Sequence, residues 1–271
     1  MSQYTPHTRI GFLPARAVFC LTAVVLLAAM STRLPAEEPL VTSLEKVRPS
    51  VVALGVFDRV KAPRARLFAT GFVIDRRGWC VTNAHVAAKL EKHDAETLRV
   101  FIPRKERPDV RKARIVITDP VHDLCIVKFQ GKARAATLGD DDDARQGRAV
   151  AAYGFPLGHA FGLHGAVTHG IVSAVAPAAI PADHASQLRG KRLELLRNPF
   201  DVFHLDLRAL PGNSGSPVFT VNGGKVVGIV TSVIGVKSKE GDLKMVTGIT
   251  YAVPVSHIET LFEAAKKVDA K

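Results

Sequence analysis

Leu67-Phe68-Ala69-Thr70-Gly71-Phe72-Val73-Ile74 is apolar for nearly its whole length, meets the turn-forming Asp75-Arg76-Arg77-Gly78, and resumes as Trp79-Cys80-Val81-Thr82. Two β-prone runs joined by such a turn read as a hairpin, with Gly78 supplying the positive φ. The same punctuation extends in both directions. Upstream lies Pro49–Phe57 (PSVVALGVF). Downstream, strands are expected at Thr97–Ile102, Ala113–Ile117, Leu124–Phe129, Ala149–Tyr153, His169–Val175, Phe203–Asp206, Val218–Val221, Val226–Ile234 and Val246–Val253. Many short strands with few helices point to an all-β sandwich or barrel and away from a βαβ sheet. Two helices are expected. A short N-terminal one covers Glu38–Val47 and is stopped by Pro49. A C-terminal one opens at Ser256-His257-Ile258-Glu259, the Ser-x-x-Glu form of a capping box. Ile258, Leu261, Phe262, Ala265 and Val268 then recur at helical spacing.

Composition narrows the classes. The chain has 271 residues, 47% hydrophobic and 6% aromatic, which fits a globular protein and excludes disordered, collagenous and multi-span membrane chains. Three cysteines exclude a disulfide-dense scaffold and a four-cysteine zinc site. The formal charge of +12 invites an anionic partner. Residues 1–36, however, carry Arg9, Arg16, Arg33 and no acid, followed from Ala17 to Met30 by AVFCLTAVVLLAAM. A basic flank, a short apolar run and small residues afterwards read as a secretory leader cleaved after Ser31 or Ala36, with an uncleaved signal-anchor as the alternative. Setting the three arginines aside lowers the charge to +9. Much of the remainder sits in Arg99–Arg114 and Arg189–Arg197, expected as exposed loops or edges that attract anionic envelopes or acidic partners. No stacking aromatics are interleaved with the basic residues, so no nucleic-acid partner is expected.

Three segments carry chemistry. Thr82-Asn83-Ala84-His85-Val86-Ala87 places a histidine where an apolar strand ends, and His122-Asp123-Leu124-Cys125 places an acid where another begins. Pro211-Gly212-Asn213-Ser214-Gly215-Ser216-Pro217 flanks a serine with glycines, which lets backbone N–H groups approach a reacting carbonyl. Singly, these read as a structural histidine, a turn aspartate and a Gly/Ser/Pro turn. Together they give histidine, aspartate and serine in the chain order of the chymotrypsin-type triad.

At these residues the sequence resembles the trypsin-like serine peptidases, and within them the HtrA/Deg branch. The resemblance spans roughly residues 40 to 262. It includes Leu44–Val52, Gly71–Ile74, Gly78, Leu138-Gly139-Asp140, Gly154-Phe155-Pro156-Leu157-Gly158, Gly170–Ala174 and Tyr251-Ala252-Val253-Pro254. It implies two six-stranded antiparallel β-barrels with the active site between them. Residues 37–145 would hold the first barrel with His85 and Asp123, and 146–271 the second with Ser214 and the terminal helix.

The resemblance implies Ser214 as nucleophile, His85 as base, Asp123 as its orienting acid, and an oxyanion hole at Gly212, Asn213 and Ser214 from backbone N–H groups. Asp119 competes for the acid role; Asp123 is preferred because a strand starts immediately after it. The implied function is an exported endopeptidase acting on unfolded or damaged polypeptides. A chaperone-like or scaffold protein that holds chains in the cleft with little hydrolysis is the alternative. Trimers are common in that branch, which implies a homo-oligomer. HtrA-type chains usually continue into a PDZ domain, and with the sequence stopping at Lys271 no such domain is expected.

Departures sharpen the reading. Digestive-type enzymes carry an aspartate where Asn213 stands, so activation by a freed amino terminus is not expected. Ser216-Pro217 is closer to the digestive-type ending than to the Deg one. The substrate pocket is assigned to Arg208, Ala209 and Leu210 before the serine and to Val230, Thr231 and Ser232 after it. Arg208, six positions before Ser214, argues against cleavage after Lys or Arg, and small or medium apolar side chains are expected instead. The insertion Pro177–Asn198 reads either as a rim for this pocket or as an exposed loop. No metal or cofactor is expected: His159, His164 and His169 lie among glycines without a fixed face, and Asp140–Asp143 lacks EF-hand spacing and reads as a cap on the crossover between barrels. Cys80 and Cys125 fall on strands that are neighbours in the resembling fold, which admits an export-pathway disulfide, with two buried free thiols as the preferred reading.

Overall fold

The computed structural model describes residues 38–60, 62–94, 97–156, 163–178, 198–231 and 249–270. Helix α1 (Pro39–Val47) and a 3-10 turn (Arg48–Ser50) lead into β1 (Val51–Phe57), β2 (Ala65–Asp75) and β3 (Trp79–Thr82). Helix α2 (Ala84–Leu90) follows, then β4 (Leu98–Ile102), β5 (Asp109–Asp119) and β6 (Leu124–Phe129). A 3-10 turn at Asp141–Ala144 precedes β7 (Ala149–Gly154), β8 (Ala166–Pro177), β9 (Asp201–Asp206), β10 (Pro217–Thr220), β11 (Val226–Thr231) and β12 (Ile249–Pro254). Helix α3 (Val255–Asp269) closes the chain. Two closed six-stranded antiparallel barrels result, ordered β1-β2-β3-β6-β5-β4 and β10-β11-β12-β9-β8-β7.

The β2–β3 hairpin turns at Gly78, whose φ is +87°, as the sequence requires. Its strands read as unbroken apolar runs because both faces are covered. Val52, Leu54, Ala69 and Val73 fill barrel 1, while their neighbours Val51, Ala53 and Phe72 join Phe155, Phe219 and Ile229 in a core between the barrels. Barrel 2 is filled by Val150, Val172, Phe203, Leu205 and Val218 among others. Each fully buried side chain such as Phe72 or Leu205 is worth roughly 1.5–3 kcal/mol in transfer from water. Ile258, Leu261 and Ala265 of α3 pack into the inter-barrel core, and Phe262 meets Trp79 edge-on at 5.5 Å.

Local readings shift in four places. Strand β5 extends well beyond Ala113–Ile117, because its outward residues Lys112 and Arg114 hide the alternation of DVRKARIVITD. Strand β8 likewise outruns His169–Val175. Helix α2 falls in the segment read as the end of a strand, and its seven residues are too few for a legible period. Helix α3 starts at Val255 directly from Pro254, so Ser256 does not cap it. The Ser256 N–H donates instead to Asp141 Oδ1 at 3.2 Å, and Val268 stays exposed. The Asp140–Asp143 run carries the capping-box arrangement: the Asp140 N–H donates to Asp143 Oδ2 at 3.3 Å, and Lys225 Nζ does so at 3.1 Å. No helix among the described residues is long and apolar enough to cross a membrane.

Candidate active site

His85 is the second residue of α2, which follows β3 across Asn83. Its Nδ1 lies 2.9 Å from Asp123 Oδ2 and 3.1 Å from Oδ1, and its backbone N–H donates to Oδ1 at 3.0 Å. Thr231 Oγ1 donates to Asp123 Oδ2 at 2.6 Å, so the carboxylate receives donors on both oxygens. Asp123 is 2% exposed, and a buried carboxylate requires such pairing. Its φ is +57°, in the left-handed region that aspartate tolerates better than most side chains. Asn83 Nδ2 fixes this backbone by donating to the Asp123 carbonyl at 3.1 Å. The His85 side chain keeps 20% of its surface, with Nε2 as the ring nitrogen that does not face Asp123.

The competing acid is placed elsewhere. Asp119 Oδ2 pairs with His122 Nδ1 at 2.5 Å, and Oδ1 accepts the N–H groups of Val121 and His122 at 2.9 and 3.1 Å. Burial pushes the Asp119 carboxyl up, and these hydrogen bonds outweigh it to hold the group below its ordinary range. The His122 ring stacks on His257 at 4.2 Å and leans on Phe200 at 4.4 Å. Burial and the adjacent His122 push His257 below the usual imidazole range, against Asp141 and Asp119.

The serine segment is held by backbone. Leu210–Asn213 is a turn closed by the Asn213 N–H on the Leu210 carbonyl at 2.9 Å, with Pro211 second and Gly212 third at φ +101°. Thr70 of β2 clamps the segment from barrel 1. Its N–H donates to the Ser214 carbonyl at 3.1 Å, and its Oγ1 donates to the Gly212 carbonyl at 2.9 Å. The same Oγ1 accepts the Phe155 N–H at 2.9 Å, and the Thr70 carbonyl accepts Thr82 Oγ1 at 2.8 Å. On the barrel 2 side, the Gly215 N–H donates to the Val230 carbonyl at 3.0 Å. Gly215 has to be glycine: its φ is +86°, and a Cβ would lie 1.9 Å from the Thr70 carbonyl oxygen. Thr82 and Thr231 thus connect the histidine and aspartate segments to the serine segment. The Asn213 and Ser216 side-chain oxygens are buried, with no hydrogen-bond partner among the described residues.

The residues assigned to the substrate pocket differ in exposure. Arg208 and Leu210 are exposed and Ala209 is half-buried. Val230 is buried in the barrel 2 core, and the Thr231 hydroxyl is engaged by Asp123. Ser232, His159 and most of Pro177–Asn198 lie outside the described residues. Cys80 and Cys125 are free and buried, offset by two residues across the β3–β6 ladder, where Cys80 faces Val127 and Cys125 faces Thr82. Burial pushes the Cys125 thiol up to about 12, which keeps it protonated and unreactive. The sequence reading missed Thr70 altogether. Its signal was a single threonine inside an apolar run, LFATGFVI.

Two barrels with a buried aspartate–histidine pair and a glycine-flanked serine at their junction define a chymotrypsin-type peptidase scaffold. A family model described as the trypsin-like peptidase domain matches residues 69–229. Mitochondrial serine protease HTRA2 of Bos taurus is 30% identical over 231 residues, covering 83% of this chain and 42% of that protein. Serine protease HTRA1B of Danio rerio is 32% identical over 232 residues, covering 84% and 41%. A probable periplasmic serine endoprotease, DegP-like, of Pseudomonas putida is 30% identical over 196 residues, covering 70% and 33%. The chain therefore spans about two fifths or less of the length of these curated relatives. Among solved structures, the HtrA-type protease AlgW with a decapeptide shares the fold at a TM-score of 0.59 and 21% identity, covering 84% of this chain and 67% of that one. This chain belongs to the trypsin-like serine peptidases, in their HtrA-type branch.

Proposed function

We propose that the chain is an exported serine endopeptidase that hydrolyses peptide bonds of unfolded or damaged polypeptides through Ser214, His85 and Asp123. The observation that carries this reading is the two-oxygen contact between buried Asp123 and His85, further held by Thr231. With Nδ1 turned to the carboxylate, Nε2 is the atom that takes the Ser214 proton as Oγ attacks the scissile carbonyl. Asp123 stabilises the imidazolium that forms without taking the proton itself. The N–H groups of Gly212 and Ser214 receive the oxyanion, worth roughly 3 kcal/mol per donor in comparable sites. Collapse of the tetrahedral intermediate expels the amine with the proton from His85. Water then attacks the acyl-enzyme carbonyl as it gives a proton to His85, and the second tetrahedral intermediate collapses by breaking the bond to Ser214 Oγ, which takes that proton back from His85 as the acid leaves.

Export is supported by the basic and apolar character of residues 1–36 and by the periplasmic description of the Pseudomonas putida relative. A polypeptide substrate is supported by the peptides bound to AlgW. Exposed Arg208 beside the serine segment disfavours cationic side chains at the cleavage position and leaves small or medium apolar ones. Homo-oligomer formation follows from the family resemblance, and membrane attachment would follow from an uncleaved leader. The test is casein turnover by the wild-type chain and by Ser214→Ala. Loss of turnover in the variant is the expected result. Equal rates would remove Ser214 as nucleophile, and suppression of aggregation that persists in Ser214→Ala without wild-type turnover would favour a chain-holding role.

A further inference from the structure

Thr70 carries the one hydroxyl in the apolar run Leu67–Ile74 of β2, and it is wholly buried. Burying a hydroxyl costs free energy unless it is hydrogen-bonded, so a threonine in this place needs a polar task. That task lies across the junction of the barrels. Oγ1 donates to the Gly212 carbonyl at 2.9 Å and accepts the Phe155 N–H at 2.9 Å. The Thr70 N–H donates to the Ser214 carbonyl at 3.1 Å. One residue of barrel 1 therefore holds the carbonyls of both residues whose N–H groups are proposed to receive the oxyanion.

Peptide planarity turns this grip into orientation. The Gly212–Asn213 plane is held by Thr70 at its carbonyl and by Leu210 at its N–H, 2.9 Å from the Leu210 oxygen. The Ser214–Gly215 plane is held by Thr70 at its carbonyl and by the Val230 carbonyl at its N–H. The plane between them, Asn213–Ser214, carries the Ser214 N–H, and the plane before them, Pro211–Gly212, carries the Gly212 N–H. The Thr70 carbonyl in turn accepts Thr82 Oγ1 at 2.8 Å, and Thr82 ends β3 three residues before His85. Ser216 supplies a contrast. Its hydroxyl and that of Thr70 both crowd Gly154, where an added Cβ would lie 2.0 Å from Ser216 Oγ and 2.8 Å from Thr70 Oγ1. Ser216 Oγ has no hydrogen-bond partner among the described residues, so of the two hydroxyls it is Thr70's that bridges the barrels.

We infer that Thr70 is a positioning residue for the oxyanion hole: by gripping the Gly212 and Ser214 carbonyls it fixes where their N–H groups point relative to His85. The inference rests on the proposed catalytic role of Ser214 and deepens it. Thr70 acts through the backbone of the serine segment, so its loss weakens binding of the transition state and leaves binding of the substrate alone.

The test uses the full chain and a chromogenic peptide with alanine at the cleavage position, at a temperature where every variant is folded by circular dichroism. Thr70→Val replaces the hydroxyl by a methyl. It lowers kcat roughly 10- to 100-fold and changes KM less than about twofold. Thr70→Ala, which removes the same hydroxyl without the branch, is read beside it and behaves alike. Thr70→Ser keeps the hydroxyl and returns kcat to within about threefold of wild type. A peptide boronate, whose tetrahedral adduct on Ser214 places an oxygen where the oxyanion forms, loses affinity for Thr70→Val by the same factor as kcat/KM. The pH midpoint of kcat/KM stays where it is, because the His85–Asp123 pair is untouched. Thr220→Val controls for a buried hydroxyl lost elsewhere: Thr220 Oγ1 is bonded to the Asn222 carbonyl at 3.0 Å, and its loss lowers the melting temperature without lowering kcat. Wild-type kcat in Thr70→Val, an equal loss in Thr70→Ser, a loss confined to KM with boronate affinity unchanged, or a shifted pH midpoint would overturn the assignment. Failure of the catalytic reading is distinct, since turnover then survives Ser214→Ala whatever stands at position 70.

Discussion

Two aspartate–histidine pairs in this chain have acids only four residues apart, and their surroundings differ. Asp119 with His122 and Asp123 with His85 both bring a carboxylate oxygen to an imidazole Nδ1, at 2.5 and 2.9 Å. The shorter contact is not the one proposed for catalysis. Asp119 keeps a quarter of its side-chain surface and directs its second oxygen to the N–H groups of its own turn, while His122 is stacked under His257. Asp123 keeps 3%, receives donors from two other segments, and leaves its histidine one-fifth exposed. The proposed triad acid is thus set apart by what surrounds the pair. The length of the pair's own hydrogen bond does not identify it.

The comparison breaks most sharply by neutralising each acid. Asp123→Asn should lower kcat for casein by roughly 10⁴-fold, because the imidazole loses the partner that sets its tautomer. Asp119→Asn should change kcat less than threefold. Similar losses in the two variants would erase the distinction. Thr231→Val sharpens it at smaller scale. Removing one hydrogen bond to a buried carboxylate costs about 1.5–3 kcal/mol, so kcat/KM should fall roughly 10- to 100-fold with the fold intact by circular dichroism. A rate within twofold of wild type would show that Thr231 does not support the acid.

The smallest effect concerns His257, the ring stacked on the Asp119–His122 pair. The folded-state pKa of His257 lies below its unfolded value of about 6.5, so the native state binds fewer protons there than the unfolded chain. The stability this neutral, stacked ring contributes is fully present above about pH 6.5 and is lost as pH falls through the lowered native value. His122, Asp119 and Asp141 are the titratable neighbours. His257→Phe should therefore gain on wild type by a few degrees in melting temperature between about pH 7.5 and about pH 5. A gap that stays constant over that range would mean the stacked pair is not pH-sensitive.

Much of the architecture was legible because buried strands leave a short-range trace. LFATGFVI, a turn ending in Gly78 and WCVT are enough for the β2–β3 hairpin, and repetition of that pattern is enough for an all-β fold. The residues proposed as a triad stood out through their order and their positions at strand ends, and the structure brings His85 and Asp123 into contact. What escaped depends on distant partners. Thr70 reaches Gly212 across 142 positions and Thr231 reaches Asp123 across 108, and no local pattern marks such a register. The same cause misdirected the capping reading: Ser256 has the local form of a cap, but Asp141, 115 residues away, receives its N–H. The run of charge between Arg99 and Arg114 showed in the sequence. Only the pairing of β4, β5 and β6 places Arg99 opposite Lys112 and Arg114 opposite Lys128.

The central claim is that Ser214, His85 and Asp123 act as one unit. Fluorophosphonate labelling read by mass spectrometry tests it directly, because the reagent reports a serine activated by its histidine. The account predicts a single adduct on Ser214 that is lost in His85→Ala, nearly lost in Asp123→Asn, and retained in Asp119→Asn. An adduct on another serine, or undiminished labelling of Ser214 without His85, would contradict it.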